Sequence, residues 1–256
     1  MKITYRIAEL VPYINWVYYF FAWQVKDEAE KARMEQEARE KLAELDASYQ
    51  VHAVFELFDA HSEEDDIVLS TGVRLPLLRQ QQGQPPYLCL ADFISPKGSK
   101  IGLFATTVDI GLETDFDHDV YQKMLTQLLA DRLAEAAAER LHEQVRKVYW
   151  GYAKDEHLSM ADMQLERFQG IRPAVGYPSL PDTSMNFVLD EVLDMKQIGI
   201  RLTESGAMKP HASVSGMMIS NPMARYFSVG KIGEDQLADY ARRRGLPVAM
   251  VRKFVM

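Results

Sequence analysis

The sequence predicts an α+β fold, and three features of its patterning carry that reading. Between Asp119 and Lys147, apolar residues recur at three-to-four spacing over the longest such stretch of the chain, the period of one long helix. Short runs rich in valine, isoleucine and phenylalanine, bounded by glycine and proline, read as strands. The two kinds of element do not alternate regularly, which argues against a parallel doubly wound sheet.

Taken in order, residues 8–23 mix Pro12, Asn15 and aromatics and read as a short helix or loop with a strongly apolar face. From Asp27 to Leu45 the pattern is charged, with Glu37 and Lys41 at the i,i+4 spacing of a solvated helix on the outside. Val51–Asp59, Ile67–Ser70, Tyr87–Ile94 and Ile101–Val108 read as strands, with turns at Gly83-Gln84-Pro85-Pro86 and Pro96-Lys97-Gly98. Asp117 or Asp119 caps the long helix, and Arg146-Lys147 stand near its negative end. Tyr121, Met124, Leu125, Leu128, Leu133, Ala136, Ala137, Leu141, Val145 and Val148 are expected to form one buried stripe along it. A further helix is expected over Phe187–Gln197, ended by Gly199. Short strands follow around Ile200–Thr203, Ala212–Ile219 and Arg225–Val229, and two small helices, Glu234–Arg244 and Val248–Phe254, complete the pattern. No internal repeat, low-complexity tract or linker divides the sequence, so a single domain over residues 1–256 is expected.

Composition narrows the function. A net charge of −8 argues against nucleic acid as the main partner, since phosphate binding needs clustered cations. No apolar run approaches the roughly 18 residues of a membrane span, so no membrane partner is expected. Met1-Lys2-Ile3-Thr4 lacks a secretory pattern, and the single cysteine, Cys89, suits a reducing compartment; a cytoplasmic location is expected. Cys89 lies in an apolar pattern and reads as a small buried hydrophobe rather than a nucleophile.

Familiar catalytic motifs are missing. There is no G-x-G-x-x-G, Walker loop, H-E-x-x-H, C-x-x-C or G-x-S-x-G. The six histidines never fall at i,i+4, and Asp115-Phe116-Asp117-His118-Asp119 reads better as the acidic first turn of the long helix than as a ligand set. No catalytic residue and no metal ligand is assigned. The informative segment is Arg172-Pro173-Ala174-Val175-Gly176-Tyr177-Pro178. Two prolines fix φ, and Gly176 permits a backbone path or close approach closed to other residues. This stiff turn carries one guanidinium and one aromatic ring, a device suited to gripping a small zwitterion.

That segment, preceded by Phe168-Gln169-Gly170-Ile171, resembles the S-adenosylmethionine-binding signature of the activation (reactivation) domain of cobalamin-dependent methionine synthase. Further blocks are similar in the same order: Ile14-Asn15-Trp16 with Phe20-Phe21, Leu90-Ala91-Asp92-Phe93, Ala130-Asp131-Arg132-Leu133-Ala134-Glu135-Ala136 and Tyr149-Trp150-Gly151-Tyr152. Leu202-Thr203-Glu204-Ser205, Ala212-Ser213-Val214-Ser215-Gly216, Asn221-Pro222 with Tyr226-Phe227, and Asp239-Tyr240-Ala241 complete the series. The resemblance implies a twisted, mainly antiparallel sheet with flanking helices, one of them long and near residues 119–147. It implies a function as well. Such a domain holds S-adenosylmethionine above a corrin while a flavodoxin-type or diflavin reductase supplies an electron, so that inert cob(II)alamin returns as methylcobalamin.

By the same resemblance, Arg172 pairs with the ligand carboxylate; the alternative use is a structural arginine paired with a neighbouring acid. Ala174, Gly176 and Tyr177 supply backbone and ring contacts, and Tyr226 and Phe227 flank the adenosine, although one of that pair could be simple core. Asn15 stands where the family commonly has an aspartate for the α-amino group, which removes the ionic part of that contact, on the order of 1–2 kcal/mol. Glu135 and Glu166 match acids near the ligand and are expected either to replace that charge or to be ordinary solvated carboxylates. Asp182-Thr183 follow where known members place an acid and a histidine near the corrin face, and Lys209 and His211 replace an aromatic and a small residue. The sequence contains no D-x-H-x-x-G for cobalt and no barrel for homocysteine or folate. The expectation is therefore an accessory module, insufficient alone for methionine synthesis, whose cobalamin is supplied in trans by a methionine synthase or related corrinoid protein. The alternative is a non-catalytic interaction module that caps such a protein without binding S-adenosylmethionine.

Overall fold

The computed structural model describes residues 1–255. Strand β1 (Lys2–Arg6) leads into α1 (Ile7–Leu10) and a 3-10 turn at Val11–Tyr13. Helix α2 (Trp16–Ala22) is capped by Asn15, whose side-chain oxygen accepts the Val17 N–H at 3.1 Å. Helix α3 (Glu28–Leu45) buries only Met34, Ala38, Leu42 and Leu45, at spacings of four, four and three, and lies on the outside as its charge pattern predicts.

The sheet is built on β2 (Gln50–Glu63) and β5 (Ser99–Val108), paired antiparallel from Val51–Val108 to Ala60–Ser99. β3 (Asp66–Leu69), β4 (Arg74–Pro76) and β8 (Ser213–Met218) extend it in the order β4-β3-β2-β5-β8. β1 and β3 take opposite ends of the same edge of β2, and every ladder is antiparallel. β6 (Arg201–Leu202) and β7 (Met208–Lys209) form a separate two-stranded ladder. Side chains alternate between two cores, as the pleat requires. Val51, Ala53, Phe55 and Phe104 face the core under α1, α2, α3 and the long helix; Val54, Phe58, Leu103 and Ala105 face the opposite one.

The long helix α5 (Val120–Gln144) starts at Asp119, which accepts the Gln122 N–H at 3.0 Å. It continues as a π-helical turn over Val145–Tyr149, with Trp150 N–H donating five residues back to Val145. Buried alanines at 130, 134, 137 and 138 let it lie close to β5, so that Thr106 donates to the Ala134 carbonyl at 2.9 Å. Each fully buried leucine along it, such as Leu133 or Leu141, contributes about 1.5–3 kcal/mol. The predicted stripe is buried only in its middle: Tyr121, Met124 and Val148 are exposed. The α+β class, the antiparallel sheet and the long helix match the sequence-based expectation.

Several local expectations are corrected. Tyr87–Ile94 is not a strand; Asp92 accepts the Cys89 N–H at 2.8 Å and closes a 3-10 turn at Leu90–Phe93. Arg225–Val229 joins no sheet, since its backbone is claimed by Ser179 and Pro178. The helix expected over Phe187–Gln197 is α7 (Met185–Leu193), broken at Asp194 in left-handed conformation (φ 48°) and followed by a 3-10 turn at Met195–Ile198. Three strands, β1, β4 and β7, and the short helices α4 (Gly111–Thr114) and α6 (Met160–Gln164) had no expectation attached. Helices α8 (Glu234–Arg244) and α9 (Val248–Val255) close over a third core around Leu237, Tyr240 and Val251.

Candidate functional site

The Arg172–Pro178 turn runs beside β8 as an irregular fringe of the sheet. Ile171 and Ile219 exchange backbone bonds at 2.9 Å, Met217 donates to Pro173 at 3.0 Å, and Val175 donates to Ser215 at 2.9 Å. Gly216 makes this approach possible, because a Cβ there would lie 2.2 Å from the Pro173 carbonyl oxygen. Gly176 (φ +87°) then reverses the chain, its N–H donating to Leu180 at 2.8 Å. The segment 226–229 is clipped to this turn: Val229 donates to Pro178 at 2.9 Å, Phe227 N–H donates to Ser179 Oγ at 3.1 Å, and that hydroxyl donates to the Phe227 carbonyl.

Five segments converge on one cavity of about 610 Å³. The turn supplies Arg172, Pro173, Ala174, Tyr177, Pro178 and Ser179, and the clipped segment supplies Tyr226 and Phe227. Helix α5 contributes Arg132, Glu135 and Glu139, three and four residues apart and so on one face. The region around α2 adds Tyr13, Asn15 and Tyr18; α6 and the residues after it add Met163, Gln164 and Glu166.

Of the residues singled out from sequence, Asn15, Glu135, Glu166, Arg172, Ala174, Tyr177, Tyr226 and Phe227 line this cavity together; Gly176 shapes the turn behind it. Arg172 is both a lining residue and a paired one: its Nη2 donates to Glu139 Oε2 at 3.2 Å and its guanidinium lies 5.6 Å from the Phe104 ring centroid. Its backbone N–H donates to the Tyr226 hydroxyl at 2.9 Å. Tyr177 donates its hydroxyl to Glu135 Oε1 at 2.7 Å. Asn15 serves as the α2 cap as well as a lining residue.

Electrostatics follow from this packing. Burial works against the Arg172 charge, but Glu139 and Glu135 outweigh it and hold the guanidinium firmly protonated. Burial raises the Tyr177 hydroxyl, with Glu135 adding to the effect, and burial raises the Tyr226 hydroxyl against the pull of Arg172. Glu166 stands at the rim with left-handed backbone (φ 56°); partial desolvation and the Glu139 charge raise its carboxyl, and Arg172 opposes this. Three carboxylates face two guanidinium groups, so the lining carries a net negative charge. That suits a ligand with one carboxylate and more than one positive centre.

Sequence reading missed Tyr13, Tyr18, Arg132, Glu139, Met163 and Gln164. Arg132 and Glu139 were signalled by their helical spacing around Glu135, and α6 by the Ser159–Asp162 capping box. Tyr13 is held by a network in which it donates to Glu143 at 2.5 Å and accepts from Arg140 at 2.7 Å. Asp182, which stands where known members place an acid near the corrin face, is turned inward. It is 1% exposed, accepts the Tyr240 hydroxyl at 2.6 Å and the Ser184 N–H at 2.8 Å, and anchors α8 internally. Lys209 and His211 are exposed. Cys89 is buried and burial pushes its thiol up to about 12, which removes it as a nucleophile.

Residues 6–245 match the family model described as vitamin B12 dependent methionine synthase, activation domain. Among solved structures, the chain is similar to a crystal structure described as the MetH reactivation domain bound to AdoHcy. The identity is 39% with a TM-score of 0.93, over 99% of this chain and 88% of that one.

Proposed function

The chain belongs to the activation-domain family of vitamin B12 dependent methionine synthase, and from that premise we propose that its cavity binds S-adenosylmethionine in support of the reductive methylation of cob(II)alamin. The observation that carries this reading is the convergence of the Arg172–Pro178 turn, α5 and Tyr226-Phe227 on a single cavity of about 610 Å³. A volume of that order falls in the range of about 300–1,000 Å³ usual for small-molecule sites. The similar crystal structure holds AdoHcy, which is S-adenosylmethionine without its methyl group.

In this proposal Arg172 takes the ligand carboxylate, and Ala174 and Tyr177 contribute main-chain and ring contacts. Tyr226 and Phe227 flank the adenosine. Aromatic faces beside a sulfonium are worth roughly 0.5–2 kcal/mol. Asn15 carries no charge, so the ionic contact with the α-ammonium group falls to a carboxylate: Glu135, whose Oε1 also accepts from Tyr177, or Glu166. Reductive methylation consumes one electron from a flavodoxin-type or diflavin reductase and the sulfonium methyl of S-adenosylmethionine, and releases S-adenosylhomocysteine and methylcobalamin. This chain's own part is to bind, orient and electrostatically match the methyl donor.

In the same reading the cobalamin is supplied in trans by a partner, a methionine synthase or related corrinoid protein. We assign the work to the cytoplasm. No helix is long and apolar enough to cross a membrane among the described residues.

Calorimetric titration tests the reading. S-adenosylmethionine should bind saturably, and Arg172→Ala should abolish the heat. Absence of heat at millimolar ligand overturns it and favours the interaction-only module, for which the commitment of Asn15 to capping is the supporting observation. With a corrinoid partner, reductant and methyl-labelled S-adenosylmethionine, label should reach cobalamin only when all components are present.

A further inference from the structure

We propose that Glu139 is a positioning residue, which holds the Arg172 guanidinium in the orientation that receives the carboxylate of an amino-acid-bearing ligand. The inference rests on reading the cavity as an S-adenosylmethionine site. Its basis is how few freedoms Arg172 retains. One face of the guanidinium lies against Phe104, Nη2 is bonded to Glu139 Oε2 at 3.2 Å, and Nε is sealed from solvent without a partner. Nη1 makes no hydrogen bond among the described residues and is free to take a ligand.

The pair is one-to-one. Among the described residues Arg172 is the only cation within 4.0 Å of Glu139, and Glu139 the only carboxylate within that distance of Arg172. The neighbouring cations are otherwise disposed. Arg146, fully buried, is bound to Glu156 at 2.8 Å, and His142 is held neutral by burial and by the charges of Arg146 and Arg172. Glu135, one turn earlier on the same face of α5, is occupied by the Tyr177 hydroxyl. The two glutamates therefore do different work: Glu135 meets a neutral donor, and Glu139 meets the cation.

An arginine side chain has several rotatable bonds, and ordering it at the moment of binding reduces affinity. A carboxylate that fixes the fork beforehand removes much of that cost, and it supplies the counter-charge that a buried guanidinium needs. The opposing possibility is that Glu139 occupies the place of the ligand carboxylate and must be displaced. The two make opposite predictions for one substitution.

Affinities of S-adenosylmethionine and of 5′-methylthioadenosine, which lacks the amino-acid portion, are compared by calorimetry for the unaltered protein, Glu139→Gln and Glu139→Asp, with thermal melts alongside. Positioning predicts that Glu139→Gln weakens S-adenosylmethionine binding on the order of tenfold and leaves 5′-methylthioadenosine within about twofold. Glu139→Asp should recover part of the loss. Tighter S-adenosylmethionine binding, an equal loss for both ligands, or no change overturns the proposal while the unaltered protein still binds S-adenosylmethionine. If the unaltered protein does not bind it, the reading of the cavity fails and this inference fails with it.

Discussion

The Tyr226 hydroxyl accepts the backbone N–H of Arg172 at 2.9 Å, so an aromatic residue 54 positions downstream fixes the first residue of the Arg172–Pro178 turn. The ring reaches the cavity and the hydroxyl sets the backbone beneath it. Tyr226→Phe keeps the ring and removes the acceptor. We expect a loss of about 0.5–1.5 kcal/mol in urea unfolding, the usual net worth of one hydrogen bond, and a few-fold weaker S-adenosylmethionine binding. An unchanged affinity would show that the turn holds its shape without this tie.

Gly216 stands where β8 passes under the turn. An added Cβ would meet Pro173 oxygen at 2.2 Å and Ala174 Cα at 2.9 Å, both backbone atoms that cannot rotate aside. Gly216→Ala should push the Arg172–Ala174 segment away from the sheet and destabilise the protein by about 1–3 kcal/mol. Binding should suffer more than stability, because the displaced segment is the cavity wall. Thermal melts and titration on the same sample test this; a variant with native affinity would contradict it.

The sequence made the scaffold legible where a period is sustained. Val51–Asp59 alternates, Ile101–Val108 is a short run bounded by turn residues, and β2 and β5 form over them. Leu125 through Val145 repeat every three or four residues, and α5 forms over them. Legibility failed where side chains rather than ladders satisfy the backbone. Arg225–Val229 looks like a strand by composition, but Ser179 takes the Phe227 N–H. Tyr87–Ile94 looks like one too, but Asp92 folds it into a turn. The Arg172–Pro178 turn was visible because proline and glycine write their geometry into the sequence. Glu139 was half visible: its spacing from Glu135 puts it on the same face of α5, but its pairing with Arg172 exists only in the fold.

Affinity should depend on pH through Glu166. Desolvation, then the Glu139 charge, raises its carboxyl above the ordinary range, so it takes up a proton earlier than a free glutamate as pH falls. S-adenosylmethionine carries positive sulfonium and ammonium groups, which favour the ionised carboxylate. Binding should therefore weaken as pH drops from neutral toward the raised titration of Glu166. Glu166→Gln should bind more weakly at neutral pH and show a flatter profile. A Gln variant that keeps the full pH slope would assign the titration to another group.

Stability on the acid side should depend on His142. The ring is fully buried against Phe168 at 4.9 Å, neither nitrogen has a partner, and burial, with Arg146 and Arg172, holds its pKa well below 6.5. Above 6.5 both folded and unfolded forms carry a neutral ring, and the contribution is complete. Below it the unfolded chain binds a proton that the folded chain refuses, and stability falls by up to about 1.4 kcal/mol per pH unit. His142→Leu removes the titrating group and forfeits no hydrogen bond. Its stability at pH 8 should be near that of the unaltered protein, and urea midpoints between pH 6.5 and 5 should decline less steeply. Equal slopes for the two proteins would assign the acid-side loss to other groups, and a large loss at pH 8 would mean that the ring nitrogens make polar contacts in the folded protein.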